Sequence, residues 1–152
     1  MAPNQKKTAG WLALTIAAVG AYEGLSLTAY PDIIGVPTDC YGETRGVHLG
    51  DVSTKDQCDA KLSARLVEFN KGVNSCVTVP LPDTRRAAFV SLAYNIGVPA
   101  FCSSTTVKRI NAGDVVGACE AMTRFNMAGG KVVQGLVNRR ASERELCIRG
   151  VL

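Results

Sequence analysis

Between Tyr30 and Gly50 the chain carries Pro31, Gly35, Pro37, Gly42, Gly46 and Gly50, with β-branched residues between them. No helix runs through that punctuation, because proline lacks the amide donor and glycine costs backbone entropy at each position. The stretch predicts a small, tightly turned β-sheet. Both flanks read as helix. Ahead of it lies an unbroken apolar run, Ala9–Tyr22 (AGWLALTIAAVGAY). After it, Ser53-Thr54 opens a helix with Asp56 and Gln57 in its first turn, continuing through Lys61, Leu62, Ala64, Arg65, Leu66 and Phe69 to about Val73. The predicted class is therefore α+β, mostly helical, with a small sheet near the N-terminus followed by a helix bundle.

Cys76–Pro82 reads as an extended linker, and Asp83 as the cap of a helix reaching about Ile96. Ala88, Leu92 and Ile96, with Phe89 and Ala93, would form its one apolar face, and Asn95-Ile96-Gly97 its end. Ser103-Ser104 begins a short helix that stops at Gly113. Asp114 caps another through about Arg124, Gly129-Gly130 marks a hinge or turn, and a last helix spans about Leu136 to Arg149. A length of 152 residues suffices for one domain with a buried core. Its parts would be a polar N-terminus (1–8), an apolar first helix (9–22), a small lobe with a connecting helix (23–73) and a helical lobe (74–152).

Six cysteines, Cys40, Cys58, Cys76, Cys102, Cys119 and Cys147, lie far apart, with no C-x-x-C and a single histidine, His48. A metal site has almost nothing to work with, so none is expected, nor any cofactor. Widely spaced cysteines in even number suit disulfides formed in an oxidising compartment. Six allow about 15 pairings. Pairing neighbours (Cys40–Cys58, Cys76–Cys102, Cys119–Cys147) closes each loop within one substructure and is the expected arrangement. The net charge of +4 suits an anionic polymer without naming one, and no nucleic-acid motif is present.

Lys6-Lys7 ahead of the apolar run resembles the start of a secretory signal, but the run is short of the roughly 20 residues a comfortable membrane span needs. Cleavage at Val19-Gly20-Ala21 would leave Glu23 second in the mature chain, with no helix to hold it. A functional Glu23 therefore requires the segment to stay attached.

Glu23 ends the apolar helix, Asp32 follows nine residues on, and Thr38 six residues later. Two carboxylates and a small hydroxyl can hold, activate and position a water, which is the equipment of a glycoside hydrolase. Burial at the helix end disfavours an ionised Glu23 and suits it to a general acid. The polar turn keeps Asp32 ionised to orient and deprotonate water, and Thr38 would position that water.

The order E-G…Y-x-D-x-x-G-x-x-T resembles the T-even phage lysozyme type of endolysin, whose Glu, Asp and Thr have the same Glu–x8–Asp–x5–Thr spacing. Ala93-Tyr94-Asn95-Ile96-Gly97…Ala100-Phe101 and Gly129-Gly130-Lys131…Gly135-Leu136…Arg139-Arg140…Glu143 resemble two further segments of that family. The likeness is nearer to the cysteine-containing lambdoid members of the signal-arrest-release kind. It implies a lysozyme-like fold, Asn95 in the cleft, and Arg139, or alternatively Arg140, as the salt-bridge partner of Glu23. It also implies a monomeric muramidase that cuts the β-1,4 bond between N-acetylmuramic acid and N-acetylglucosamine in peptidoglycan. Such a protein is made in the cytoplasm and acts in the host periplasm and cell wall, with transient inner-membrane association through Ala9–Tyr22. A lytic transglycosylase on the same fold and a catalytically silent cell-wall-binding protein are the alternatives. The chain departs from the family pattern at Asp39-Cys40, where an acid beside Thr38 is expected to alter the local electrostatics and the cysteine to couple redox state to the site.

Overall fold

A computed structural model describes residues 3–149, with side chains from Gly10 onward. Met1, Ala2 and residues 150–152 lie outside the described residues, as do the side chains of Lys6 and Lys7 in the polar N-terminus. Helix α1 (Pro3–Glu23) starts earlier than the apolar run. Trp11, Thr15 and Val19 recur every four residues and are all buried, which gives the helix one stripe that packs on α3 (Asp83–Ile96). No helix among the described residues is long and apolar enough to cross a membrane.

Gly24, at φ +70, ends α1 in the left-handed conformation that glycine adopts without steric cost. The chain then forms an antiparallel hairpin of β1 (Ser26–Pro31) and β2 (Pro37–Cys40), with Tyr30 opposite Thr38 and Pro31 opposite Pro37. The sheet expected over Tyr30–Gly50 thus begins earlier and stops at Cys40. Beyond it, Gly42, Gly46 and Gly50 all take positive φ and turn the chain too often for a strand to extend. Two isolated bridges, Asp39 to Glu43 and Thr28 to Val52, tie that segment down.

Helix α2 (Lys55–Cys76) opens on a capping box: Thr54 Oγ1 accepts from the Gln57 amide, and the Gln57 side chain accepts from the Thr54 amide. It continues past Val73 to Cys76, with Gly72 inside the helix where a side chain would collide with Val98. Asp83 is not the cap of α3. Pro82 holds that position with no side-chain hydrogen bond, and Asp83 is the first helical residue, favoured there by the helix dipole. Nor does α3 have a single apolar face: Ala87, Ala88, Phe89, Val90, Leu92 and Ala93 are all fully buried. It is the central helix, with α1, α2 and α7 (Gln134–Ile148) packed around it.

A short helix α4 (Val98–Cys102), too brief to show a period, follows Gly97. The Ser104 and Asp114 side chains cap α5 (Thr105–Asn111) and α6 (Val115–Ala121), and a 3₁₀ turn (Met122–Arg124) completes the predicted second segment. Gly129-Gly130, both at positive φ, form the two-residue turn of a hairpin of β3 (Met127–Ala128) and β4 (Lys131–Val132). The final helix begins two residues before Leu136. Disulfides join Cys40–Cys58, Cys76–Cys102 and Cys119–Cys147, as the neighbour pairing predicts. They tie the first hairpin to α2, α2 to α4, and α6 to α7.

Candidate active site

A carboxylate on the last residue of a helix faces the negative end of the helix dipole, so Glu23 is poorly placed unless a cation meets it. Arg139 of α7 supplies the cation: its Nη1 donates to Glu23 Oε1 at 2.6 Å. The Arg139 side chain is 4% exposed and that of Glu23 is 25% exposed, so the acid keeps an open side. The Tyr22 ring lies 5.8 Å from the Arg139 guanidinium carbon, and its hydroxyl is 2.7 Å from Ser142 Oγ. The cation–π contact thus meets the arginine from a second direction, and the Ser142 hydroxyl holds the tyrosine that makes it.

Arg140, the alternative partner from the sequence, points elsewhere. Its Nη1 donates to Asn95 Oδ1 at 2.9 Å, and its Nε lies 2.7 Å from Glu143 Oε1. Glu143 Oε2 also lies 3.5 Å from Arg139 Nε and accepts from Ser91 Oγ at 2.5 Å. Arg140 Nη2 donates to Glu143 Oε2 at 3.2 Å, while the two Nε contacts are ion pairs without hydrogen bonds. Burial pushes the Glu143 carboxyl up from its ordinary range, while Arg140, the Ser91 hydroxyl and Arg139 pull it down. Burial likewise lowers Arg140, and Glu143 opposes that shift.

Glu23 lines a cavity of about 280 Å³ together with Tyr41, Gly42, Arg65, Phe69, Tyr94 and Asn95. Phe69 and Tyr94 meet edge to face, with ring centroids 5.2 Å apart. The Tyr94 hydroxyl donates to the Tyr41 carbonyl at 3.2 Å. Burial, then the carboxylates Glu23 and Glu43, push the Tyr94 phenol up to about 12, so it stays neutral. Glu43 Oε2 pairs with Arg65 Nε at 3.2 Å.

Asp32 follows β1 directly and Thr38 sits in β2, and neither is among the residues lining the Glu23 cavity. Asp32 Oδ1 accepts from the amides of Ile34 and Val36, both at 2.9 Å, and so builds the hairpin turn. Its Oδ2 accepts no hydrogen bond among the described residues. Thr38 is 5% exposed, and its hydroxyl donates to the Val36 carbonyl at 2.9 Å, which leaves the oxygen lone pairs to accept.

Asp39 is buried, and its Oδ2 meets Lys61 Nζ at 2.9 Å. The charge expected to disturb Thr38 is therefore paired. Cys40 takes φ +54, the one described non-glycine residue at positive φ, in a segment held by its disulfide to Cys58. His48 is exposed on the surface near Asp51. Among the described residues no cluster of three or more His, Cys, Asp or Glu has a metal-holding arrangement. Sequence reasoning missed Tyr41, Arg65, Phe69, Glu43 and Ser91 as parts of this region. Arg65 and Phe69 carried a signal only as members of a helical pattern.

Known proteins are similar over most of this length. The family model for phage lysozyme matches residues 20–143. A relative called SAR-endolysin from Enterobacteria phage P21 is 43% identical over 129 residues, covering 84% of this chain and 78% of that one. The endolysin from Escherichia coli O157:H7 phage FAHEc1 superposes with a TM-score of 0.82 at 36% identity, over 90% of this chain and 92% of that one. The muramidase domain of SpmX from Asticaccaulis excentricus gives a TM-score of 0.82 at 32% identity, over 88% of this chain and 94% of that one.

Proposed function

The chain belongs to the phage lysozyme family, and from that premise we propose how its residues act. It is a lysozyme-type glycoside hydrolase, an endolysin whose substrate is peptidoglycan. Glu23 is the general acid that protonates the leaving oxygen of the β-1,4 bond between N-acetylmuramic acid and N-acetylglucosamine. Asp32 draws the proton from a water through its unoccupied Oδ2, and Thr38 offers its lone pairs to orient that water. Attack from the face opposite the acid gives inversion. Asn95, fixed by Arg140, faces the sugar in the cavity. The observation that carries this reading is the Arg139–Glu23 ion pair at a cavity edged by aromatic rings. We read the 152 residues as one domain that works as a monomer.

The experiment is digestion of purified peptidoglycan by wild type and Glu23→Gln, with mass spectrometry of the muropeptides. Reducing muramic ends that vanish in the variant are expected. Anhydro ends would mean that the muramyl 6-hydroxyl attacks in place of water, which is the transglycosylase outcome. Saccharide binding without products, from folded and oxidised wild type, would make the protein a cell-wall-binding module.

The name of the phage P21 relative also supports a staged route to the cell wall. Ala9–Tyr22 enters the inner membrane weakly during export, leaves it, and then packs Trp11, Thr15 and Val19 against α3 to act in the periplasm. Its alanines and glycines make membrane residence marginal and helix packing close. Fractionation tests this route: full-length protein confined to the soluble cytoplasm would overturn it.

A further inference from the structure

We propose that Glu143 is a positioning residue for Glu23, acting through the Arg139 guanidinium that the two carboxylates share. The proposal rests on the reading of Glu23 as general acid. Glu143 is 2% exposed and does not line the cavity that Glu23 lines. A carboxylate at that depth carries a desolvation penalty that an apolar residue of similar size would avoid, so packing alone does not account for it.

The charges around it explain its presence. Arginine keeps its proton at any accessible pH, so α7 buries two fixed cations, Arg139 at 3% and Arg140 at 1% exposure. Glu143 meets both, and Glu23 of α1 meets Arg139. From α3, the facing groups are the neutral Ser91 and Asn95, while Arg85 is turned to the Cys147 carbonyl near the end of α7. Tyr22 of α1 covers the Arg139 guanidinium. The Arg144–Glu120 pair lies outside, on the solvent side of α7. Across the cavity, Glu43 and Arg65 neutralise each other. Glu143 is thus the carboxylate that offsets the two buried cations while Glu23 holds its proton.

A general acid must carry its proton when substrate binds. With Glu143 ionised, Glu23 meets a guanidinium whose charge is already offset from behind. Without that charge, the two cations stand unopposed and favour the ionised form of a neighbouring carboxyl. Glu143 also fixes Arg139 in place, since Ser91 anchors the shared carboxylate to α3.

The test is the pH profile of peptidoglycan hydrolysis by wild type, Glu143→Gln, Glu143→Asp and Arg140→Gln, with Glu23→Gln as control. Activity that needs protonated Glu23 falls on the alkaline limb. Glu143→Gln is expected to move that limb down by about one pH unit, and Glu143→Asp to restore most of the shift. Arg140→Gln deletes a cation and should move the limb up; it serves as the test if Glu143→Gln does not fold. A limb that stays in place while thermal stability drops would make Glu143 merely structural and overturn the proposal. An active Glu23→Gln would instead overturn the reading of Glu23 beneath it, so the two failures are distinguishable.

Discussion

Arg139 and Glu23 lie 116 residues apart in the chain and meet at 2.6 Å, one within the last helix and the other at the end of the first. The pair closes the helical layer around α3. It places a buried cation behind the carboxylate and leaves the carboxylate's other side open to the cavity.

Arg139→Leu removes the cation that Glu23 and Glu143 share. Breaking a buried pair from one side is expected to cost about 3 kcal/mol, the low end of the usual range because Glu23 is partly solvated. Activity should be lost alongside. Arg139→Lys keeps the charge without the planar fork that spans both carboxylates, so it should fold better than Arg139→Leu yet remain slow. Thermal melts and hydrolysis rates on the same preparations check both.

The disulfides should separate into two kinds. Replacing Cys40 and Cys58 by serine opens a loop of sequence separation 18 and is expected to cost about 3 kcal/mol. It also frees Cys40 from its left-handed conformation two residues after Thr38, so hydrolysis should fall. Replacing Cys119 and Cys147 should cost a similar amount of stability and leave the hydrolysis rate unchanged below the melting range, since these residues staple α6 to α7 away from the cavity. Melting curves with and without reductant, paired with rates, read the difference.

Tyr94 supplies a pH dependence. Its phenol titrates near 10 in the unfolded chain and at about 12 in the folded one, chiefly through burial. Above the lower value the unfolded state has lost a proton that the folded state retains. The contribution of Tyr94 is therefore complete below pH 10 and is lost between pH 10 and about 12. Tyr94→Phe should flatten that part of the stability curve, and denaturant titrations across the interval measure it.

Much of the fold was legible in the sequence because its signals are local. Thr54 with Gln57, Ser104 and Asp114 each satisfy an amide three residues away, so those helix starts can be read without knowing the rest of the chain. The stops at Gly97 and Gly113 follow equally from residues that tolerate positive φ. Local reading failed where a neighbour in space overrode it. Asp83 looked like a cap but stands inside the helix that Pro82 begins. The α3 helix looked one-sided but is wrapped by three others, which its run of buried small and apolar residues permits.

By itself the sequence determined the class of fold, the side-chain caps of three helices, the family, and the spacing that puts Glu23 at a helix end and Asp32 and Thr38 on one hairpin. Tertiary structure alone decided which arginine meets Glu23. Adjacent residues on a helix point about 100° apart, so the choice between Arg139 and Arg140 depends on how α7 is rotated against α1 and α3. That rotation follows from packing across more than a hundred residues of chain. The same packing turned Asp39 toward Lys61 and buried Glu143 with Arg139 and Arg140, although the spacing that brings those three together is local to α7.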